Sequence, residues 1–434
     1  MAERPRRAAV VGGNRTPFAR AGRRYAAASS QGLLTAALDG LVARFSLQGE
    51  RLGEVAAGAV MRHSRDLNLT REAVLDTALD PATPTYDVSQ ACATGLEAAV
   101  LVANKIALGQ IESGVAGGVD SASDAPMALD DDLRRVLLAL RAARTPRARL
   151  AALAGLRPGQ LRPQVPRAAE ARTGLSMGEH AAITAARWGL TRQAQDELAV
   201  ASHHRLAAAY DRGFFDDLIT PHLGLVRDDA LRPDTSTEAL ARLAPVFRAP
   251  GVDAEATMTA GNSTPLTDGA AAVLLASDEW AAQRRLPVLA HLVDAEAAAV
   301  DFAHGREGLL MAPVHAVPRL LARNGLTLAD IDLFEIHEAF ASTVLATLAA
   351  WEDADYCTDV LGLDGPLGSV DRARLNTTGS SLATGHPFAA TGGRILATTA
   401  KLVVEHRATH GRGRALISVC AAGGQGVVAI VEAA

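Results

Sequence analysis

Cysteine, lysine and aromatic side chains are scarce in this chain, and each scarcity excludes something. Three cysteines in 434 residues, Cys92, Cys357 and Cys420, cannot form a disulfide framework, so a reducing cytoplasm is the expected compartment. Lys105 and Lys401 are the only lysines. Schiff-base chemistry therefore has almost no candidates, and a bound phosphate must meet arginine, histidine or backbone N–H groups. Aromatics make up 4% of the residues and the formal net charge is −5, which leaves neither a stacking platform for bases nor an electrostatic footprint for nucleic acid. No run approaches the ~20 apolar residues of a membrane span. After the basic start Met1–Arg7, the apolar run Ala8–Val11 stops at Gly12-Gly13, too short for a signal-peptide core. What is plentiful is ordinary: 49% hydrophobic and 21% charged residues. This is a folded, enzyme-sized chain of roughly three domains at about 150 residues each, with length enough for a large core.

Two distant segments read alike. The extended stretch Thr85–Gln90 runs into Ala91-Cys92-Ala93, then an alanine-rich helical pattern from about Thr94 to Leu108, then a strand, Gly114–Val119. Later, Arg374–Asn376 leads to the glycine-rich Thr377–Gly385 and His386-Pro387. A helical pattern from about Phe388 to His406 follows, and a buried-looking strand, Ala415–Val419, ends at Cys420. Strand, reactive residue, helix, strand is the shared order. It predicts an α/β fold with sheets covered on their faces, built from two related halves.

Between the halves the composition changes. From Leu133 to Ala169 there are nine arginines and no acidic residue. Leu133, Val136, Leu137, Leu140, Leu150 and Leu153 recur at helical spacing, and Pro158, Pro163 and Pro166 end the pattern. Two readings stand: a solvated helical excursion, or a basic amphipathic surface for an anionic lipid face, an acyl-CoA phosphate or a partner subunit. A helix over about Gln193–Arg212 is closed by Gly213, and Leu231–Thr237 is a turn-rich loop.

Four segments can carry chemistry. Cys92 falls at a predicted helix N-terminus, where free N–H groups and the helix dipole favour a thiolate. It is either a nucleophile or a small buried hydrophobe. His337-Glu338-Ala339-Phe340 follows the apolar strand Ile331–Ile336 and reads equally as an ordinary helix-start histidine capped by a glutamate. His386 is packaged between Gly385 and Pro387, with Gly379 before and Gly392-Gly393 after, which lets backbone approach a ligand closely and favours function. Cys420 ends a strand before Ala421-Ala422-Gly423-Gly424-Gln425-Gly426. No GxGxxG-to-helix transition follows it, so a dinucleotide site is not indicated; a thiol beside an N–H-rich turn suits proton transfer next to an oxyanion hole. The spacings are nothing like CxxC or HxxxH, so no metal is expected. Cys357, in a stretch over Trp351–Val360 read as acidic and irregular, is expected to be structural.

Taken together, SQACATGLEAA, HEAF, GHPFAATGGR and CAAGGQG, in this order and spacing, resemble the thiolase family. GNRTPF near the start, SMGEHA at 176–181 and MTAGNSTPLTDGAAA at 258–272 extend the resemblance over nearly the whole chain. HEAF in place of the more common NEAF is similar to the branch containing the thiolase (beta) subunit of fatty-acid-oxidation complexes.

The resemblance implies a five-layered α-β-α-β-α fold with two βαβαβαββ halves: residues 1–123 with 264–285, carrying Cys92, and 286–434, carrying His337, His386 and Cys420. A loop domain over 124–263 would cover the active site. It implies cleavage of a 3-ketoacyl-CoA by free coenzyme A in fatty-acid β-oxidation, or, run backward, condensation of two acetyl-CoA to acetoacetyl-CoA. Coenzyme A is then a substrate, and no permanently bound cofactor is expected. Cys92 would be the acylated nucleophile, His386 its base, and Cys420 the acid/base at the α-carbon. His337 and His386 would hold the enolate oxygen, His337 through a water. Backbone N–H groups of Cys92 and Ala422, where the family often has glycine, would form a second oxyanion hole. Arg232 would stack on the adenine, Thr264 would bond the pantetheine, and Met177 would line the acyl path. SMGEHA stands where short-chain relatives have HMG, so that histidine's contact is lost or supplied otherwise. A homodimer or homotetramer is implied, with a hydratase/dehydrogenase partner subunit or a membrane surface as possible contacts of residues 133–169. A ketoacyl synthase on the same fold would need no second cysteine, and a non-catalytic relative would lack one of the reactive four.

Overall fold

Regular alternation of buried strands and helices lays out two halves along the chain. The computed structural model describes residues 6–434 except 167 and 306; the first five residues of the basic start and Arg167 of the arginine-rich stretch fall outside it. The first half runs β1 (Ala8–Arg15), α1 (Ser30–Phe45), β2 (Glu54–Ala57), α2 (Leu69–Leu75), β3 (Thr85–Asp87), α3 (Thr94–Ala107) and β4 (Ser113–Ser121). An insertion follows with α4 (Asp131–Ala142), α5 (Pro146–Leu153), α6 (Met177–Arg187) and α7 (Arg192–Asp211), and β5 (Thr267–Ala276) then closes the half. The second half runs β6 (Ala290–Ala299), α8 (Ala312–Arg323), β7 (Leu333–Ile336), α9 (Ala341–Glu352), α10 (Ala390–His410), β8 (Arg414–Ala421) and β9 (Gln425–Ala433).

Hydrogen bonding links the strands in the order β7-β8-β9-β6-β1-β5-β4-β2-β3. The seam between halves is the short antiparallel pairing of β1 with β6, Ala8 opposite Leu292 and Val10 opposite Ala290. Because strand side chains alternate between faces, each half-sheet has two apolar sides to cover. Val10, Ala116 and Val273 from one half and Ile417, Val419 and Ala429 from the other share a single core with Leu96 of α3 and Ile395 of α10. Val11, Val115 and Leu274 face the opposite way, onto Leu34 and Leu38 of α1 and Val74 of α2. Leu416, Val428 and Ile430 likewise face Val317 of α8 and Trp351 of α9. The result is five layers, with α3 and α10 in the middle one. This is the expected fold.

The insertion is tied to the sheet by one buried ion pair. Arg15 on β1 donates from both terminal nitrogens to Asp228, at 2.6 and 2.7 Å, and Tyr210 on α7 donates to the same carboxylate at 2.8 Å. One expectation needs correction. Trp351–Val360 is not irregular: it finishes α9 and contains a helical turn, Ala354–Asp359, stabilised by Asp353 accepting from the Tyr356 N–H. Cys357 is buried there, donating to the carbonyl of Ala350. The leucines over 133–153 do recur on helices, but only Leu133 is buried; Leu137, Leu138, Leu150 and Leu153 lie exposed on the α4–α5 hairpin. Nor are all its arginines unpaired, since Arg134 and Arg135 bridge to Asp131 and Asp132 one turn back.

Candidate active site

Cys92 sits on a kinked turn between β3 and α3. Ala91 before it has φ 46°, a left-handed conformation that costs an L-residue about 1–2 kcal/mol. Thr94 clamps the kink, donating its hydroxyl hydrogen to the Ala91 carbonyl at 2.7 Å and accepting the Gln90 N–H at 2.8 Å. The sulfur is thereby brought to 3.1 Å from Nε2 of His386, which belongs to the other half of the chain.

Glycine makes that meeting possible, though not in the expected manner. The glycines of α10 approach protein backbone and not a ligand. A Cβ on Gly392 would lie 2.2 Å from the Leu96 nitrogen, and one on Gly95 would lie 2.6 Å from the Ala389 carbonyl oxygen. The N-terminal ends of α3 and α10 therefore cross backbone to backbone, and each carries its reactive residue into the same space. Gly385, at φ 97°, reverses the chain just before His386, whose own N–H donates to the Thr267 hydroxyl at 3.1 Å.

Burial controls the protonation of this pair. It pushes the Cys92 thiol up to about 12, against the backbone N–H groups of Ala422 and Cys92, which point toward the sulfur and pull the other way. Burial, reinforced by the positive charge of Arg394, pushes His386 down to about 3. The resting state is thiol and neutral imidazole. The thiolate expected from a helix N-terminus is not preformed, because desolvation outweighs the helix end.

His337 lies beyond β7, and its N–H donates to the Ser418 carbonyl at 2.8 Å. Its ring stands 4.2 Å from that of His386, centroid to centroid, and its Nδ1 is 2.8 Å from the Ser381 hydroxyl. Its Nε2 is buried with no partner among the described residues. It is not a helix-start residue: α9 begins four residues later, at Ala341. Glu338 does not cap α9 either. Its carboxylate accepts from Ser202 of α7 at 2.7 Å, from Asn376 at 2.7 Å and from the Leu382 N–H at 3.2 Å, pinning the insertion to the segment that leads to His386.

Cys420 is the penultimate residue of β8, paired across the hairpin with Gly426. Burial first, and the nearby Cys92 sulfur second, push its thiol well above the usual range. It packs in an apolar cluster with Leu309, Leu310, Ala339 and Phe340, which Met177 and Phe302 border. Ala422 opens the turn after it, and Gly423 donates its N–H to Glu170 of the insertion at 2.6 Å. Among the described residues, Cys92, His337 and His386 are the one group of three whose ligand atoms, within 4.8 Å of one another, are spaced for a metal ion.

The expected binding residues are less tightly gathered. Met177 stands beside Cys420, as described. Ser176, in place of the HMG histidine, is the N-cap of α6 and forms a capping box with Glu179. Thr264 gives its hydroxyl hydrogen to the Ala339 carbonyl at 2.9 Å, so it braces the HEAF segment and keeps only acceptor capacity for a ligand. Arg232 is solvent-exposed, with its backbone N–H on Nδ1 of His203 at 3.2 Å. Sequence reasoning missed Ser381, Thr391 and Arg394, which surround the two histidines. Arg394 and Thr391 lay inside a quoted motif, but no pattern marks a buried serine as a histidine's partner.

A five-layered fold of two halves brings a cysteine and a histidine from opposite halves into contact, with a second, buried thiol near by. The chain belongs to the thiolase family, whose members are acyltransferases: the profile for the thiolase N-terminal domain matches residues 8–279 and that for the thiolase C-terminal domain residues 286–433. It is 39% identical over 433 residues to a 3-ketoacyl-CoA thiolase of Pectobacterium atrosepticum, covering 98% of this chain and 96% of that protein. It is 38% identical over 434 residues to the 3-ketoacyl-CoA thiolase of an Escherichia coli strain, covering 98% and 97%. Among solved structures, human mitochondrial 3-ketoacyl-CoA thiolase in complex with CoA superposes with a TM-score of 0.79 at 27% identity, over 99% of this chain and 98% of that one. The Bacillus anthracis acetyl-CoA acetyltransferase superposes with a TM-score of 0.80 at 28% identity, over 100% of both chains.

Proposed function

We propose that this chain is a degradative 3-ketoacyl-CoA thiolase: it cleaves a 3-ketoacyl-CoA with coenzyme A to acetyl-CoA and a shortened acyl-CoA, in fatty-acid β-oxidation. The observation that carries the reading is the 3.1 Å contact between Cys92 and His386 at a point where the Ala422 N–H also faces the sulfur. His386 takes the thiol proton at Nε2 as the sulfur attacks the 3-keto carbon. The N–H groups of Cys92 and Ala422 hold the oxyanion. The bond between C2 and C3 then breaks, and its electron pair becomes the enolate of acetyl-CoA, whose oxygen His337 and His386 face. Cys420, kept protonated by burial, donates to C2 and acetyl-CoA leaves. Coenzyme A next passes its thiol proton to the Cys420 thiolate and attacks the Cys92 thioester; the carbon–sulfur bond to Cys92 breaks, His386 returns its proton to the departing sulfur, and the shortened acyl-CoA leaves. Coenzyme A enters as a substrate held by Arg232, Thr264 and Met177, with no cofactor bound permanently.

The division into 1–123 with 264–285, 124–263 and 286–434 fits this chemistry, since the middle segment supplies Glu170, Met177 and Ser202 around a site whose reactive residues come from the other two. No described helix is long and apolar enough to cross a membrane. A cytoplasmic homodimer or homotetramer is the assembly we infer. The α4–α5 hairpin, with exposed leucines and with no ion pair at Arg141, Arg144, Arg147 and Arg149 among the described residues, is suited to an anionic membrane surface. A hydratase/dehydrogenase subunit is the other occupant to test.

The deciding experiment is thiolysis of 3-ketoacyl-CoA substrates of graded chain length by the purified chain, with Cys92→Ala as control. Turnover of long substrates that the control abolishes supports the reading. Turnover of acetoacetyl-CoA alone would replace it with acetyl-CoA C-acetyltransferase.

A further inference from the structure

We infer that Ser381, held by Arg394, fixes the tautomer of His337 so that its Nε2 carries a hydrogen aimed into the site. Ser381 and Arg394 are then positioning residues for the carbon–carbon bond step and not for thioester exchange between Cys92 and a saturated acyl-CoA. The assignment deepens the thiolase reading and rests on it for its catalytic meaning, though not for its geometry.

The argument is a count of hydrogens. A guanidinium can only donate, and Nη2 of Arg394 lies 2.8 Å from the Ser381 oxygen. The same oxygen lies 2.8 Å from Nδ1 of His337, and among the described residues these are its only two partners. The serine hydroxyl therefore has one hydrogen to place and one acceptor available, Nδ1. Were Nδ1 protonated, the serine would accept twice and its own hydrogen would be buried without a partner, at a cost of about 1–3 kcal/mol. Ser381 and Arg394 are buried, so water offers no escape. Nδ1 is an acceptor, and the single hydrogen of the neutral ring is on Nε2.

That nitrogen is the buried polar atom left without a partner. Its surroundings disfavour a cation: burial, His386 and Arg394 all hold His337 neutral. A neutral N–H buried beside the nucleophile calls for an acceptor that arrives with the substrate, and an enolate or thioester oxygen is one. His386 has the opposite arrangement. To take the Cys92 hydrogen its Nε2 must be bare, so its Nδ1 hydrogen points to Thr391 at 2.6 Å. Two adjacent imidazoles are thus held in opposite tautomers, one to donate and one to accept. Burial pulls Arg394 down to about 10, with Glu335 and Glu338 pulling the other way, so it still carries its charge near neutrality.

The test starts on the resting enzyme with ¹⁵N-histidine labelling, His337 being assigned by difference with His337→Asn. The expected spectrum shows His337 protonated at Nε2 in the wild type and a mixture of tautomers in Ser381→Ala. In kinetics, Ser381→Ala is expected to lower kcat for thiolysis at least tenfold with little change in KM. Single-turnover acylation of Cys92 by a saturated acyl-CoA, which breaks no carbon–carbon bond, should stay within twofold, and Ser381→Thr should restore thiolysis. His337 protonated at Nδ1 in the wild type overturns the assignment, and so does an equal loss of thiolysis and of acylation by the saturated acyl-CoA in Ser381→Ala. The labelling needs no activity and no variant of Ser381. An Nε2-protonated His337 in an enzyme without thiolysis would keep the assignment and discard the thiolase reading.

Discussion

The imidazoles of His337 and His386 lie 4.2 Å apart, tilted by 50°, and both are held well below the usual histidine range. Two cations at that distance would repel strongly, so the site admits one imidazolium at most, and only while a proton is in transit.

Reactivity of the free enzyme toward a small electrophile should follow. With the Cys92 thiol near 12 and His386 near 3, the thiolate fraction rises with pH throughout the neutral range. Inactivation by iodoacetamide should climb about tenfold per pH unit from pH 6 to pH 9. A plateau below pH 7 would mean a preformed thiolate–imidazolium pair and would contradict the burial argument.

Gly392→Ala tests the helix crossing. The added methyl group meets the Leu96 backbone nitrogen at 2.2 Å, which no rotamer relieves. Overpacking of this kind costs about 1–3 kcal/mol, and here the relief must separate α3 from α10 and so Cys92 from His386. Thermal unfolding should shift down and single-turnover acylation should slow by more than tenfold. Gly365→Ala, where nothing lies within 4 Å, serves as the control.

Asp228→Asn should destabilise the protein by about 3–5 kcal/mol, since it strands the buried Arg15 guanidinium. Urea unfolding measures the loss. Because the pair joins β1 to the insertion, the variant should also raise the KM for coenzyme A more than it lowers kcat.

Replacing Arg141, Arg144, Arg147 and Arg149 with glutamine should abolish flotation with vesicles containing anionic lipid while leaving thiolysis of short substrates unchanged. Flotation that survives the change would remove the membrane role from the hairpin. Co-purification of a second enzyme that depends on those arginines would give it to a partner subunit.

The layered fold was legible because strand and helix periodicities are strong over β4, β8, α3, α7 and α10, and the four reactive segments stood out by their glycine packaging. Other features were not. The glycines after His386 were read as room for a ligand, whereas Gly392 makes room for Leu96, a contact some three hundred residues away along the chain. The leucines of α4 and α5 have core-like spacing yet face solvent, because periodicity reports a face and not what covers it. The hydroxyls on the two histidines were invisible for a related reason. Ser381 matters through where its hydrogen goes, which depends on Arg394 thirteen residues later and on a turn of backbone no local pattern reveals.

If Cys92 is the nucleophile proposed above, burial that pushes its thiol up to about 12 shapes how the enzyme behaves when idle. Peroxide, aldehydes and other stray electrophiles react with thiolate and much less with thiol. A nucleophile that surrenders its hydrogen only to a neighbouring ring, against an acceptor seated among the right N–H groups, is shielded between turnovers. Such an enzyme is selective before any substrate arrives, and its lifetime in an oxidising episode should exceed that of a cysteine enzyme with a standing anion.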